Sequence, residues 1–195
     1  RHKELLKNTA ILAFGKFATQ FMAFLLLPIY THFLSPADYG TFDLILTYAT
    51  LALPFLTLRL EFAAFRFLID ERKSDRGKTR IISTILGMTG GLAFVWIVLF
   101  AIVSTFVSVE YGLFVAMLAI AMVASGVFLQ FARGLGSNKA FATASIIAGL
   151  VTSIGGGLSV AVLGWGIEGM LGSAIVGNIL ASVYLLIRLQ IPRYI

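Results

Sequence analysis

Six runs of twenty or more mostly apolar residues follow one another along this chain, separated by short polar connections. A membrane-crossing helix needs about 20 residues at about 1.5 Å each to traverse about 30 Å of hydrocarbon. The runs cover residues 9–34, 41–65, 81–107, 111–132, 140–163 and 167–189. Lipid offers no water to unpaired backbone groups, so each run is expected to form a continuous helix. A soluble domain of 195 residues has no single core that could hide six such runs. The chain is 59% hydrophobic and 12% charged, against about 45–50% and about 25% for soluble domains. The fold class is therefore all-α: a polytopic membrane protein built as a six-transmembrane-helix bundle.

Charge sets the orientation. Of the 15 Lys and Arg, 13 lie before the first run, between the second and third, between the fourth and fifth, and at or after the end of the sixth. The other three connections, with the start of the sixth run, carry only Asp38, Glu110 and Glu168. Cations are retained on the cytosolic side, so both chain ends are expected in the cytosol. Residues 66–80, RFLIDERKSDRGKTR, hold six of these cations. They read as a topology determinant or as a binder of anionic lipid headgroups. No nucleic-acid recognition motif is present. The basic start precedes an apolar run too long for a signal-peptide core, so that run is expected to stay as an anchor. The chain begins without Met and stops just after a span, and is expected to be part of a longer protein.

Two cations remain, and both fall inside spans: Lys16 and Arg59. At helical rise each sits about 10 Å into its span. Intramembrane charge is costly and marks function by default, although long side chains also snorkel to the interface. On the first span Thr9, Lys16, Gln20 and Thr31 share a narrow arc. On the second, Asp43, Thr47, Thr50, Thr57 and Glu61 do so, with Pro54 among them. Such stripes have no use against lipid and are expected to face protein or a hydrated cavity. On a straight helix Arg59 points away from the Asp43–Glu61 stripe. Either Pro54 rotates the lower half of the span, or Arg59 serves another surface. Glu61 is placed to neutralise Lys16 or Arg59. Pro28 and Pro54 are expected to kink their helices, a feature of helices that line transporter cavities.

The third, fifth and sixth spans carry rows of small residues. Those of the last two, Ser145–Gly149–Ser153–Gly157 and Gly169–Ser173–Gly177–Ala181, are each spaced by four. Such rows let helix backbones approach closely in lipid, and these two spans are expected to touch. No zinc-protease, nucleophile-elbow or phosphate-loop signature appears, so the chain is not expected to be an enzyme. Cysteine is absent, which removes disulfides and Cys-based zinc sites. No metal site and no cofactor are expected.

The segment LPIYTHFLSPADYGTF, residues 27–42, resembles the first external turn of the oligosaccharide flippase family of bacterial polysaccharide biosynthesis proteins, the O-antigen (Wzx-type) flippases. KNTAILAFGKFATQF resembles that family's opening helix, and RGLGSNKAFATASIIAGLV with GIEGMLGSAIVGN resembles its fourth-to-sixth-helix region. His32 departs from the pattern, where arginine is more usual. The resemblance implies one lobe of a two-lobe exporter of the multidrug/oligosaccharidyl-lipid/polysaccharide superfamily, in the bacterial inner membrane. It implies a cargo of undecaprenyl-diphosphate-linked sugar repeat units, moved by alternating access and driven by H+ or Na+. Lys16 and Arg59 match the cations of family cavities; with them, Gln20 and Thr31 are the expected substrate contacts. Asp43 and Glu61 are the expected ion-coupling groups. Membrane lipids, a polysaccharide polymerase and a chain-length regulator are the expected partners. A small-cation or drug exporter of the same superfamily and a non-transporting scaffold of a polysaccharide-synthesis complex are the alternatives.

Overall fold

Ser35 and Pro36 decide where the second span begins. The Ser35 hydroxyl accepts from Asp38 N–H at 3.1 Å and donates to the Asp38 carboxylate at 2.7 Å. Proline suits the first helical position, where its missing N–H has no partner to lose. The helix therefore starts five residues ahead of its apolar run. The computed structural model describes residues 17, 21, 24, 27–28, 30–107 and 110–194. Residues 17, 21, 24, 27, 28 and 30–33 are helical and make up the described part of α1.

The remaining helices are α2 (Pro36–Thr57), α3 (Leu60–Asp70), α4 (Asp75–Phe106), α5 (Gly112–Gly134), α6 (Asn138–Leu150), α7 (Gly156–Ala161) and α8 (Gly166–Arg188). A π-helical turn, Val151–Gly155, joins α6 to α7, and a 3-10 turn, Ile191–Tyr194, ends the described chain. No strand occurs among the described residues, and five segments are long and apolar enough to cross a membrane. The protein is all-α and polytopic. The second expected span, residues 41–65, is not continuous: it comprises α2 and α3. The third begins at Asp75 rather than 81, because Ser74 caps it by accepting from Gly77 N–H at 3.0 Å.

α5 and α8 form the centre. Near one end, Ile45 and Ala49 of α2 pack with Leu118 and Ala121 of α5 and Leu171 and Ile175 of α8. Near the other, Leu68 of α3, Ile82 of α4, Phe131 of α5 and Ile191 pack together. Ala132, Ala140, Ala144 and Ala181 let α5, α6 and α8 approach closely. Between helices in lipid, this fit rather than water exclusion supplies the attraction. By contrast, Phe94, Val98, Ile102 and Phe106 leave one side of α4 exposed, as a lipid-facing helix requires. Arg72, in the turn after α3, donates from Nε to the Gly134 carbonyl at 2.6 Å and from an Nη to the Arg133 carbonyl at 3.1 Å. Two of the basic connections thus lie at the same end of the bundle. A cation there also meets the negative end of the α5 dipole.

The fifth and sixth spans do touch, but the fifth presents a different face. A Cβ on Gly177 would lie 2.6 Å from Thr152 Oγ1 and 2.8 Å from the Ala148 carbonyl, and one on Gly169 would lie 2.5 Å from Ser159 Cβ. The expected row on α8 is therefore the seam. On the partner span the seam residues are Ala148, Thr152 and Ser159, not the row through Ser153. The Ser153 carbonyl instead accepts from the Tyr30 hydroxyl at 3.1 Å, tying α1 to the π turn. One residue of displacement, from Gly149 to Ala148, rotates a helical face by about 100°.

Candidate functional site

The site is built where the second span is interrupted. Pro54 lies within α2 and offers no N–H to the carbonyl four residues earlier. The helix continues for three more residues and stops at Thr57. Leu58 (φ 48°) and Arg59 (φ 58°) are both left-handed, at about 1–2 kcal/mol each for residues other than glycine. Thr57 holds the break: its hydroxyl donates to the Leu53 carbonyl at 3.0 Å and accepts from Arg59 N–H at 3.2 Å. The new helix opens when Phe62 and Ala63 donate to the Arg59 carbonyl. Glu61 stands in its first turn, where the helix dipole favours a carboxylate.

Arg59 and Glu61 now meet. Arg59 Nη1 lies 4.0 Å from Glu61 Oε1, with the arginine side chain 59% exposed and the glutamate side chain 10%. The guanidinium also stands 5.3 Å from the centre of the Phe62 ring, a cation–π contact. Glu61 Oε2 is buried and has no hydrogen-bond partner among the described residues. A buried carboxylate oxygen without a donor is costly. Beside it is a cavity of about 140 Å³ walled by α2, α3 and α5, with Thr57, Arg59, Glu61 and Gln130 as its polar groups. Gln130 Oε1 accepts from Arg133 at 3.2 Å. The arrangement sets a largely exposed cation and a buried acceptor oxygen at the rim of one small cavity. It is suited to holding an anion and a proton or small cation at adjacent places.

A family model for polysaccharide biosynthesis proteins matches residues 5–191. The chain belongs to the polysaccharide biosynthesis protein family. No curated protein and no solved structure matches it. It is a multi-pass membrane protein of polysaccharide synthesis or transport.

In this polysaccharide biosynthesis protein the other expected site residues are spread out. Lys16 and Gln20 lie outside the described residues, as does Thr9. Thr31 is exposed on α1 and donates to the Leu27 and Pro28 carbonyls of its own helix. Pro28 lies in that helix. Asp43 is exposed on α2 with Thr47 and Thr50, about 21 Å along the helix from Thr57. The structure brings Glu61 to Arg59 and does not bring Asp43 to either. The polar stripe is thus divided, exposed on α2 as far as Thr50 and buried at Thr57 and Glu61. Gln130 was not anticipated. Its signal was available: it is an amide in the apolar run FLQFA, three residues from Arg133. Among the described residues no group of three His, Asp or Glu side chains could hold a metal.

Proposed function

We propose that the protein translocates lipid-linked oligosaccharide repeat units, carried on undecaprenyl diphosphate, across the bacterial inner membrane for surface polysaccharide. In this reading it is one lobe of a two-lobe transporter, with its basic end in the cytosol. The interrupted second span carries the proposal. It sets an exposed guanidinium and a buried, half-partnered carboxylate at one point within a long apolar run. Charge-assisted bonds to a diphosphate are strong in a low-dielectric cavity. Arg59, with Lys16, is assigned to the diphosphate. Gln20 and Thr31 are assigned to sugar hydroxyls or water. Glu61 is assigned to the coupling H+ or Na+, for which its free Oε2 and the cavity leave room, and Asp43 to a second coupling step near the outer end. The interruption itself is a hinge of the kind that alternating access uses.

The test is translocation of lipid-linked repeat units by the full-length protein in vesicles. Arg59→Ala is expected to slow it by at least about tenfold, the loss of one charge-assisted bond. Glu61→Gln is expected to leave binding intact and abolish the dependence on an ion gradient. Native rates and native gradient dependence in both variants would remove the assignment.

A further inference from the structure

A cleft of about 660 Å³ opens between α3 and α4 at the end of the bundle that carries the basic turns. Its two walls change character in the same direction. On α4, Arg76, Arg80, Thr84 and Met88 line it, four residues apart and so on one face, over about 18 Å. On α3 and its C-cap, Asp70 and Glu71 stand at the charged end and Phe67 lies further in. The Glu71 carboxylate rests against Gly77, where any Cβ would collide with it. The sequence places the start of the apolar run at Ile81, so the charged end lies at headgroup level and the rest beside hydrocarbon.

Four charges face this cleft, two of each sign, yet they do not neutralise one another. Among the described residues no ion pair joins Asp70 or Glu71 to Arg76 or Arg80. Asp75, next in the chain to Arg76, is engaged by Lys78 at 2.6 Å. The four lining charges balance, so an anionic headgroup drawn to the arginines of one wall also meets the carboxylates of the other. A headgroup that carries both signs meets both walls.

We propose that the cleft binds an amine-bearing zwitterionic phospholipid. Its phosphate lies between Arg76 and Arg80, where guanidinium forks match phosphate oxygens. Its ammonium donates to Asp70 and Glu71, and an acyl chain runs along Phe67 and Met88. A quaternary ammonium has no N–H to donate, so choline lipids are disfavoured. The inner end of the cleft reaches Leu60, beside the Arg59–Glu61 break, but its charged end lies about 15 Å away along α3, and the lipid proposed there does not depend on the cargo proposed for the break.

The experiment is native mass spectrometry of the delipidated full chain, titrated with phosphatidylethanolamine, phosphatidylcholine and phosphatidylglycerol of identical acyl chains. The ethanolamine lipid is expected to be retained about tenfold better than the other two, as one lost charge-assisted bond implies. Arg76→Gln with Arg80→Gln is expected to remove retention of all three. Asp70→Asn with Glu71→Gln is expected to move the preference to phosphatidylglycerol. All four positions are exposed, and an unchanged unfolding temperature confirms the fold of each variant. Equal retention of the ethanolamine and choline lipids, a native preference for phosphatidylglycerol, or an ethanolamine preference that survives the acidic double variant would each overturn the proposal.

Discussion

Arg59 Nη1 lies 4.0 Å from Glu61 Oε1, although residues two apart on an unbroken helix point to different sides. The meeting is made by two left-handed residues, Leu58 and Arg59, and held by one hydroxyl, that of Thr57. A local backbone cost is thus converted into a charge constellation that a straight span would not present. Such strain persists where the surrounding structure enforces it, and it concentrates at functional and switching positions.

Leu58 carries backbone strain and little packing, since its side chain is exposed. Leu58→Gly is therefore expected to raise stability by about 1 kcal/mol. Leu58→Val is expected to lower it by a similar amount, because β-branched residues fit left-handed backbone worst. Thermal unfolding of the two variants in one detergent checks both signs.

Arg72 closes the end of α5 through two carbonyls. Arg72→Ala is expected to cost about 1.5–3 kcal/mol, the range for hydrogen bonds to a charged donor, towards the low end because the residue is exposed. Arg72→Lys is expected to recover only part of this, since an ammonium lacks the planar fork that spans two acceptors. Unfolding free energies of the three proteins decide it.

The α8 seam separates two glycines of one helix. At Gly177 an added Cβ would meet the Ala148 backbone carbonyl at 2.8 Å, which cannot swing aside, whereas at Gly172 nothing lies within 4 Å. Gly177→Ala is expected to destabilise by about 1–3 kcal/mol. Gly172→Ala is expected to stabilise by about 0.5–1 kcal/mol through helix propensity. A melting temperature that moves the same way in both variants would contradict this account of the seam.

Much of this fold is legible in the chain because lipid allows so few solutions. Apolar length gives the spans, and the small-residue row of α8 gives the seam that the structure contains. Capping is only partly legible, since Ser74 opens α4 from within a run of charges. A bend was legible at Pro54; the break itself was not. Pro54 advertises a disturbance, but the helix survives it and fails at Leu58–Arg59, where neither residue is a glycine or a proline. Glu61 stands out as an intramembrane acid, but its pairing with Arg59 follows from backbone angles that no residue-by-residue pattern encodes. The π turn within the fifth span is silent in the sequence for the same reason.

The proposed transport path requires the interruption of the second span to open onto water while the outer side of α4 faces lipid. The chain contains no cysteine, so single cysteines can be placed at Leu58 and at Phe94, both exposed side chains, in otherwise native protein. Modification of each by a charged, membrane-impermeant thiol reagent in native membranes is the direct measurement. The account predicts rapid labelling at position 58, slowed by added lipid-linked cargo, and no labelling at position 94. Position 58 remaining as unreactive as position 94 would contradict it.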